Sequence, residues 1–550
     1  MPVSRSDSEA GFTMIATVIG TTLVIMLALV AVAAVNGDIH QQRRNLDQKQ
    51  AYEAAKAGIE DYAFHLNHDT GYWAKCTGVP TPNAVNQVGS TAKRRFVPGS
   101  ATASYALELI PAEGQAECEP ANATPSMLEG TGPMKGTFRI RATGYAGPAR
   151  SSVTATFKSA SFLDFVYFTQ LETLDPVTYG YPAATPQLEG VKKQCSLTYQ
   201  QGRNNAPYYE FVNPETKKTE QKFCLKISFV GKDVLSGPVH TNDTMAICEN
   251  GPTFGRNAQD IVEVSASYPG WYANCNKSVD KPNFKGTFIT GAAELKPPES
   301  DEQLKEIAEP AFRFAGQVRI CLTETTMTVG AGGTCNENVK YSGPLPANGV
   351  VYVSNGPEAC PATYSPFTVT YPVSSECGNA YVHSVGTYSG QLTIAAENDI
   401  IIDGSICWAA AASCTSKSTG TEMLGLIANN FIRVYHDYPA EVIDPNTISP
   451  KCNALAAGQV EKTVKNITID AAILSLNHSF IVDHYDCGTS LGTVTINGAL
   501  AQKYRGPVGQ GSQGYQSKVY KYDDRLKYQE PPSFIQPEKL PWLIGRETIG

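Results

Sequence analysis

The feature that most constrains this chain is an apolar run near its N-terminus. From Phe12 to Asn36 no side chain is charged. As a helix rising about 1.5 Å per residue, this segment is roughly 37 Å long, which exceeds the ~30 Å of bilayer hydrocarbon. A polar leader, residues 1–11, precedes the run and ends in Gly11. The sequence therefore predicts a membrane-spanning helix, residues 12–36, directly behind a short leader.

The junction Gly11-Phe12 resembles the class III signal of type IV prepilins. In that family a prepilin peptidase cleaves after the Gly and the new N-terminal aromatic residue is methylated. The resemblance therefore implies that Gly11 and Phe12 form a processing site. Two alternatives remain open for the same segment: a secretory signal peptide cleaved after residues 31–33, or an uncleaved single-span anchor.

A second helical segment follows the apolar run. Its apolar residues recur every three or four positions: Tyr52, Ala55, Ile59, Tyr62 and Leu66. This spacing predicts an amphipathic helix that continues to residue 67 and covers the protein's own β-structure with one face. The stretch AYEAAKAGIEDY is similar to the same region of PilX-type minor pilins. The resemblance implies that subunit assembly involves Phe12, Ala16, Tyr52, Ile59, Tyr62 and Leu66.

Ala16 departs from the family pattern. The fifth residue of a mature pilin is usually Glu, whose carboxylate pairs with the N-terminal amine of a neighbouring subunit. Here that position is Ala16. A subunit repeated along a filament would lose a buried charge pair at every joint. The resemblance therefore implies a tip or initiation subunit.

The cysteines indicate export and a disulfide framework. The chain has 14 Cys, most simply seven disulfides formed outside the cytoplasm. Three basic residues after the apolar run would by themselves favour a cytoplasmic C-terminal bulk, and the cysteines argue against that. Neighbours in sequence would pair as Cys76 with Cys118, Cys195 with Cys224, Cys248 with Cys275, Cys321 with Cys335, Cys360 with Cys377, Cys407 with Cys414, and Cys452 with Cys487. Sequence alone does not fix this connectivity.

The composition predicts an α+β fold that is mostly β. Charged residues make up 17% of the chain, against 47 Gly and 35 Pro, a composition typical of strands and turns. The predicted order is a leader, 1–11; an N-terminal helix, 12–67; a small antiparallel sheet, 68–176; a loop-rich linker, 177–225; a disulfide-stapled β-domain, 226–505; and an extended C-terminal strap, 506–550.

A repeated local pattern favours a β-solenoid for the large domain. Asn398, Asn430 and His478 each precede apolar residues two and four positions later. A polar corner residue that tolerates the left-handed conformation, followed by a strand with alternate residues inward, is what a solenoid coil needs. Asp243 is a further candidate corner. The separations of 32 and 48 residues are uneven, so a β-sandwich is the alternative.

Several other site classes find little support in the sequence. A net charge of −8 gives no basic footprint for nucleic acid. The spacing of Gly509, Gly511 and Gly514 matches a dinucleotide fingerprint, but no helical pattern follows it. His478 and His484 lie near carboxylates, yet we expect no metal there. We therefore expect no cofactor and no catalysed reaction.

Over residues 11–67, 136–176 and 515–547 the chain resembles a PilX-type minor type IV pilin, or pilin-like protein, with a large exported β-domain. The resemblance implies a filament tip or initiation subunit that is held first in the cytoplasmic membrane, then displayed at the cell surface for adhesion. Its expected partners are other pilin subunits, a prepilin peptidase, a pilus assembly platform, the membrane, and a surface polymer or host ligand. Open alternatives are a pseudopilin of a secretion or DNA-uptake machine, and a membrane-anchored adhesin or glycan-active β-helix protein.

Overall fold

The chain folds into two compact units, Met1–Ser159 with Pro541–Gly550, and Ala160–Leu540. The computed structural model describes residues 10–68, 72–76, 94–129, 136–159, 161–176, 195, 208–212, 217–224, 226–358, 360, 364, 374–408, 414, 420–438, 440–441, 451–452, 461–527, 529–538 and 542–549. The predicted order of an N-terminal apolar helix, a small antiparallel sheet and a large β-rich region is confirmed.

The first unit is built on one unbroken helix, Ala10–His68. No proline interrupts it, so both the apolar run and the amphipathic stripe belong to the same rod. A five-stranded antiparallel sheet follows, with the order Arg95–Phe96, Ala103–Ile110, Thr137–Ala146, Ala149–Ser159 and Trp542–Ile549. Short helical segments in this unit are Tyr72–Lys75, Pro120–Asn122 and Ala123–Met127.

Small residues bring the C-terminal half of the helix close to this sheet. Ala51, Ala54 and Ala55 are buried, and a Cβ built on Gly144 of the sheet would lie 1.9 Å from the backbone oxygen of Ala51. Only glycine at residue 144 permits this approach of helix backbone to strand backbone. The contact explains why the predicted stripe is rich in alanine at its start.

Aromatic rings fill the rest of the interface between helix and sheet. Tyr62 is fully buried, with its ring centroid 5.2 Å from that of Tyr72 and 5.7 Å from that of Phe157. Phe138 stacks on Phe157 at 5.2 Å. Burying each large side chain of this kind stabilises the fold by roughly 1.5–3 kcal/mol. The sheet is therefore held on the helix mainly by apolar packing.

The second unit contains two large sheets among its described residues. The longer sheet comprises Tyr167–Leu171, Val234–Ser236, Val239–Thr241, Asn250–Phe254, Ile261–Val264, Lys281–Phe284, Thr287–Thr290, Arg313–Ala315, Val350–Ser354, Gln391–Ala396, Met423–Ala428, Thr468–Ser475, Ser490–Tyr504, Gly509–Gln510 and Gln513–Tyr522. The shorter sheet comprises Val318–Glu324, Thr326–Gly330, Val339–Pro344, Ala380–Tyr388, Ile400–Ile402, Ile432–Val434 and Phe480–Val482.

Smaller elements complete this unit. Two-stranded pairs join Met245–Ile247 with Trp271–Ala273, His436–Asp437 with Lys462–Thr463, Ala440–Glu441 with Lys451–Cys452, and Tyr208–Val212 with Thr219–Phe223. Helical segments are Phe162–Asp164, Glu302–Ile307, Pro310–Phe312 and Asp524–Lys527. The linker and the strap expected at 177–225 and 506–550 thus contain strands where they are described.

The chain alternates between the two large sheets. Ile400–Ile402, Ile432–Val434 and Phe480–Val482 pair in parallel in the shorter sheet, and each directly follows a strand of the longer sheet. Side chains of both sheets belong to one buried apolar cluster. Parallel pairing of this kind is not the pairing of an antiparallel β-sandwich.

The polar corner residues act through side-chain bonds. Asn430 Nδ2 donates to Asn398 Oδ1 at 2.5 Å, and Asn398 Nδ2 donates to Asn379 Oδ1 at 2.7 Å. These corners do not use the left-handed conformation that such residues tolerate, because none of Asn398, Asn430 and His478 has a positive φ. An amide ladder between successive layers fixes the turns instead.

Candidate assembly interface

The N-terminal half of the helix presents an unbroken apolar surface. Met14–Val32 is long and apolar enough to cross a membrane by length and composition. All of its described side chains are exposed, for example Met14 at 72% and Val30 at 67%. A rod of exposed apolar side chains needs a cover of lipid or of other apolar helices, because leaving it in water forfeits the hydrophobic stabilisation.

Threonine hydroxyls within this segment are already satisfied by the helix backbone. Thr17 Oγ1 donates to the carbonyl oxygen of Met14 at 2.9 Å, and Thr21 Oγ1 donates to that of Thr17 at 2.9 Å. Such bonds remove the cost of placing a hydroxyl in an apolar medium. These threonines are therefore compatible with lipid or other apolar helices around the segment. The sequence pattern alone did not show that their hydroxyls are hydrogen-bonded within the helix.

The predicted processing residues lie at the start of this helix. Gly11 and Phe12 follow Ala10, where the described helix begins, and the leader residues 1–9 lie outside the described residues. Ala16 is exposed on the helix and offers no carboxylate. Ala16 therefore lies on an exposed, apolar part of the helix surface.

The predicted assembly residues of the second helical half divide into two groups. Ile59, Tyr62 and Leu66 are buried against the unit's own sheet. Tyr52 is half-buried at the edge of that core. Leu46 and Phe64 are large apolar residues of the same helix that are 55% and 58% exposed. The sequence analysis did not single them out, because they lie outside the spacing of three and four residues that marks the buried face.

Charged residues fasten the same helix to the sheet. Arg95 Nη1 donates to both carboxylate oxygens of Asp61 at 2.9 Å. Burial, together with the charge of Asp61, raises the pKa of Tyr105 beside them. Burial also raises the pKa of Tyr62. These tyrosines therefore stay neutral and add to the packing, while the ion pair fixes the rotation of the helix on the sheet.

Seven disulfides link cysteines that are neighbours in sequence. The bonded partners are Cys76–Cys118, Cys195–Cys224, Cys248–Cys275, Cys321–Cys335, Cys360–Cys377, Cys407–Cys414 and Cys452–Cys487. The first lies in the first unit and the other six lie in the second. The two cysteines of each bond are at most 42 residues apart in sequence. Each disulfide therefore closes a local loop and limits the conformations of that loop.

A cleft of about 530 Å³ opens in the second unit beside the glycine loop. Gly509 pairs with Gly514 in an antiparallel hairpin, so this spacing forms a tight turn between strands. A dinucleotide fingerprint needs a strand followed by a helix. Here the strand Gly509–Gln510 is followed by another strand, Gln513–Tyr522. The glycine loop is therefore one wall of a cleft without the geometry of a nucleotide site.

The cations of this cleft are balanced by buried carboxylates. Arg505 Nη1 lies 3.1 Å from Glu172 Oε2, and Lys518 Nζ lies 2.8 Å from Asp233 Oδ1. Burial lowers the pKa of Lys226 in the same cleft to about 8. Ion pairs therefore hold Arg505 and Lys518 in place at this cleft.

His478 and His484, the histidines that lie near carboxylates in the sequence, and the buried His436 and His240 each have a different hydrogen-bond partner. His478 Nδ1 lies 2.5 Å from Asp175 Oδ2, whereas His484 Nδ1 lies 2.9 Å from the backbone oxygen of His436. His436 Nε2 lies 2.9 Å from Glu461 Oε1. His240 Nε2 lies 2.9 Å from Asn242 Oδ1 at its strand end. The structure thus distributes these imidazoles among separate hydrogen bonds and does not bring His478 and His484 to one point.

Two other groups of ligand-type atoms cluster in the described residues: Cys321, Cys335 and His383, and Cys452, Asp486 and Cys487. In both groups the two cysteines are bonded to each other. A disulfide offers no thiolate, and the thiolate is the form that binds metal. Neither cluster is therefore a metal site while its disulfide is intact.

Comparison with known proteins yields structural likenesses but no match at the level of sequence families. No family model matches the chain, and no curated protein matches it. Among solved structures, the chain is similar to the crystal structure of the competence-associated pilin ComZ from Thermus thermophilus. The identity is 11%, the match covers 92% of this chain and 98% of that chain, and the TM-score is 0.25. At this TM-score the likeness carries no argument for a shared fold or role.

Proposed function

We propose that this chain is a pilin-like structural subunit of a surface filament. The observation that carries the proposal is a single helix whose first half is apolar and exposed while its second half is packed on an antiparallel sheet. In this proposal the first half of the helix contacts lipid or other helices, and the second half carries a folded, exported domain. A protein that only needed an anchor would not need the rod to continue into its sheet.

Assembly begins, in this proposal, with cleavage between Gly11 and Phe12 and methylation of the new N-terminus. The apolar segment first holds the subunit in the cytoplasmic membrane, and then packs among the helices of other subunits. Because Ala16 lacks a carboxylate, the subunit does not form the charge pair of repeating pilins. It therefore takes the tip or initiation position.

The second unit is, in this proposal, a β-solenoid displayed for adhesion. Its support is the parallel register of Gln391–Ala396 with Met423–Ala428 and of Ile400–Ile402 with Ile432–Val434, together with the asparagine ladder at the corners. The disulfides suit a domain exposed outside the cell, where no chaperone refolds it. We assign it no catalysed reaction.

Tip placement is tested by labelling intact filaments with antibody against the second unit and counting gold particles by electron microscopy. We expect label at filament ends, with roughly one cluster per filament. Label spaced regularly along the shaft would contradict the tip role. Loss of secretion or DNA uptake on deletion, with no labelled filament at all, would indicate a pseudopilin of another machine.

A further inference from the structure

The shorter sheet of the second unit aligns a sulfur, an imidazole and a carboxylate across three neighbouring strands. Cys321 lies on Val318–Glu324 and is the direct parallel partner of His383 on Ala380–Tyr388. Asp403 comes directly after Ile400–Ile402, the next strand in the sheet. Because the register places them in one row on one face, the three side chains meet without any loop rearrangement.

The distances give this row a defined polarity. His383 Nδ1 lies 2.7 Å from Asp403 Oδ1, and His383 Nε2 lies 3.3 Å from Cys321 Sγ. A carboxylate on one ring nitrogen holds the proton there and directs the other nitrogen at the sulfur. Arg319 forms an ion pair with the second oxygen of Asp403. His383 is therefore in direct contact with the sulfur, and Arg319 and Asp403 fix the imidazole from its other side.

Glycine makes room for the imidazole in this row. A Cβ built on Gly404 would lie 2.8 Å from the Cβ of His383, so any larger residue would displace the ring. Cys321 itself is bonded to Cys335. Cys335 lies in the turn formed by residues 331–337. It is buried, whereas the other residues of this turn are exposed or half-buried. Local opening of such a turn costs little of the global stability and exposes the Cys335 sulfur.

We propose that Cys321–Cys335 is a thiol-exchange site with His383 as the group that stabilises the leaving thiolate. The thiolate of an external dithiol attacks Cys335 Sγ, the bond between the two cysteine sulfurs breaks, and its electron pair leaves on Cys321 Sγ. The attacking thiol gives up its proton as it becomes a thiolate, and His383 Nε2 accepts that proton and donates a hydrogen bond to the Cys321 thiolate. The second thiol of the dithiol then attacks the mixed disulfide, which releases Cys335 and leaves the dithiol oxidised and both cysteines reduced.

The chemistry favours Cys321 as the leaving sulfur. Thiolates next to His⁺ or Arg have lowered pKa values, and a thiol of lower pKa leaves faster in exchange. The turn carries one carboxylate of its own, Glu337, but that side chain accepts a hydrogen bond from the backbone N–H of Gly333 at 2.9 Å. It is therefore committed within the turn. The class of partner is a dithiol, whether a small reductant or a surface protein.

Solvent exposure and assistance by His383 predict opposite orders of reduction for two of the disulfides, so the order of reduction tests the proposal. Cys275 is exposed whereas Cys321 is only 9% and Cys335 only 5% exposed. If access alone governs reduction, Cys248–Cys275 reacts with dithiothreitol before Cys321–Cys335. If His383 assists the leaving sulfur, Cys321–Cys335 reacts first despite its burial.

The experiment uses the full-length oxidised protein in detergent micelles. Samples are exposed to dithiothreitol for increasing times, quenched with N-ethylmaleimide, and mapped by peptide mass spectrometry. We expect Cys321 and Cys335 to be alkylated first, and His383→Gln to slow their reduction by roughly tenfold. The rate for Cys248–Cys275 in the same samples should not change, which shows that the variant remains folded.

Two further variants complete the design. Asp403→Asn keeps the imidazole but weakens its orientation, so it should slow the same pair by a smaller factor. His478→Gln, which removes an imidazole paired to Asp175 and distant in the fold, should change nothing. Equal rates in the native protein and His383→Gln, or reduction of Cys248–Cys275 before Cys321–Cys335 in the native protein, would overturn the proposal.

Discussion

Asp301 is a buried carboxyl whose protonation couples folding to pH. It directly precedes the helix Glu302–Ile307 and is fully buried. Tyr352 Oη donates to its Oδ1 at 3.1 Å. Burial raises the pKa of Asp301 to about 7, with a smaller rise from the charge of Glu397. The native protein therefore holds a proton on Asp301 at pH values where the unfolded chain has released it.

The sign and size of the effect follow from this pKa. Because the folded pKa lies above the unfolded value of 3.8, the stabilisation is fully present below about pH 4 and is lost as pH rises through 7. Between pH 5 and pH 8, this one group lowers the free energy of unfolding by roughly 2–3 kcal/mol. Asp301→Asn supplies a neutral amide of the same shape, so that part of the pH dependence should disappear.

The assay is urea unfolding of the full-length protein in detergent micelles at pH 5 and pH 8. Asp301→Asn should be more stable than the native protein at pH 8 and close to it at pH 5. The matched control is Glu302→Gln, an exposed carboxylate one residue later, which should leave the native pH dependence in place. Parallel pH dependences for the native protein and Asp301→Asn would refute the reasoning.

Two further substitutions test the packing of each unit. Gly144→Val should destabilise the first unit by more than about 3 kcal/mol, since its Cβ would lie 1.9 Å from Ala51 O. Calorimetry checks this: the unfolding transition of the first unit should shift to lower temperature or disappear, and an unchanged transition would contradict it. Arg433→Met should cost about 3–5 kcal/mol, because it strands Asp399 and Asp483, whose oxygens lie 3.2 and 3.1 Å from the guanidinium. Restoring most of that loss by adding Asp399→Asn and Asp483→Asn, measured by urea unfolding, supports the ion-pair account, whereas no recovery contradicts it.

Local patterns in the sequence predicted the helix and the strand faces well. The recurrence of Ile59, Tyr62 and Leu66 marked the face that packs on the sheet, because a helix repeats every 3.6 residues whatever lies opposite. Phe138 and Ile140 alternate in sequence with Arg139 and Arg141, and this period of two matches their full burial. Such periodicities are properties of a single segment and need no knowledge of its partner.

Pairing between distant segments could not be predicted in the same way. Trp542–Ile549 pairs with Ala149–Ser159 across nearly the whole chain, and the row of Cys321, His383 and Asp403 depends on a register between strands about 60 and 20 residues apart. No local pattern encodes such a register, since it is fixed by the packing of the whole sheet. The corner asparagines show the same limit: their positions were predicted, but their ladder was not.

The central claim, that the apolar rod is a processed pilin-type helix, is tested most directly by the N-terminus of the mature protein. The measurement is N-terminal sequencing and mass spectrometry of the chain recovered from sheared surface filaments. The account predicts that the chain begins at Phe12 and carries a methylated amine. A chain that begins at Met1 or after residue 33, or that is missing from the sheared fraction, would contradict it.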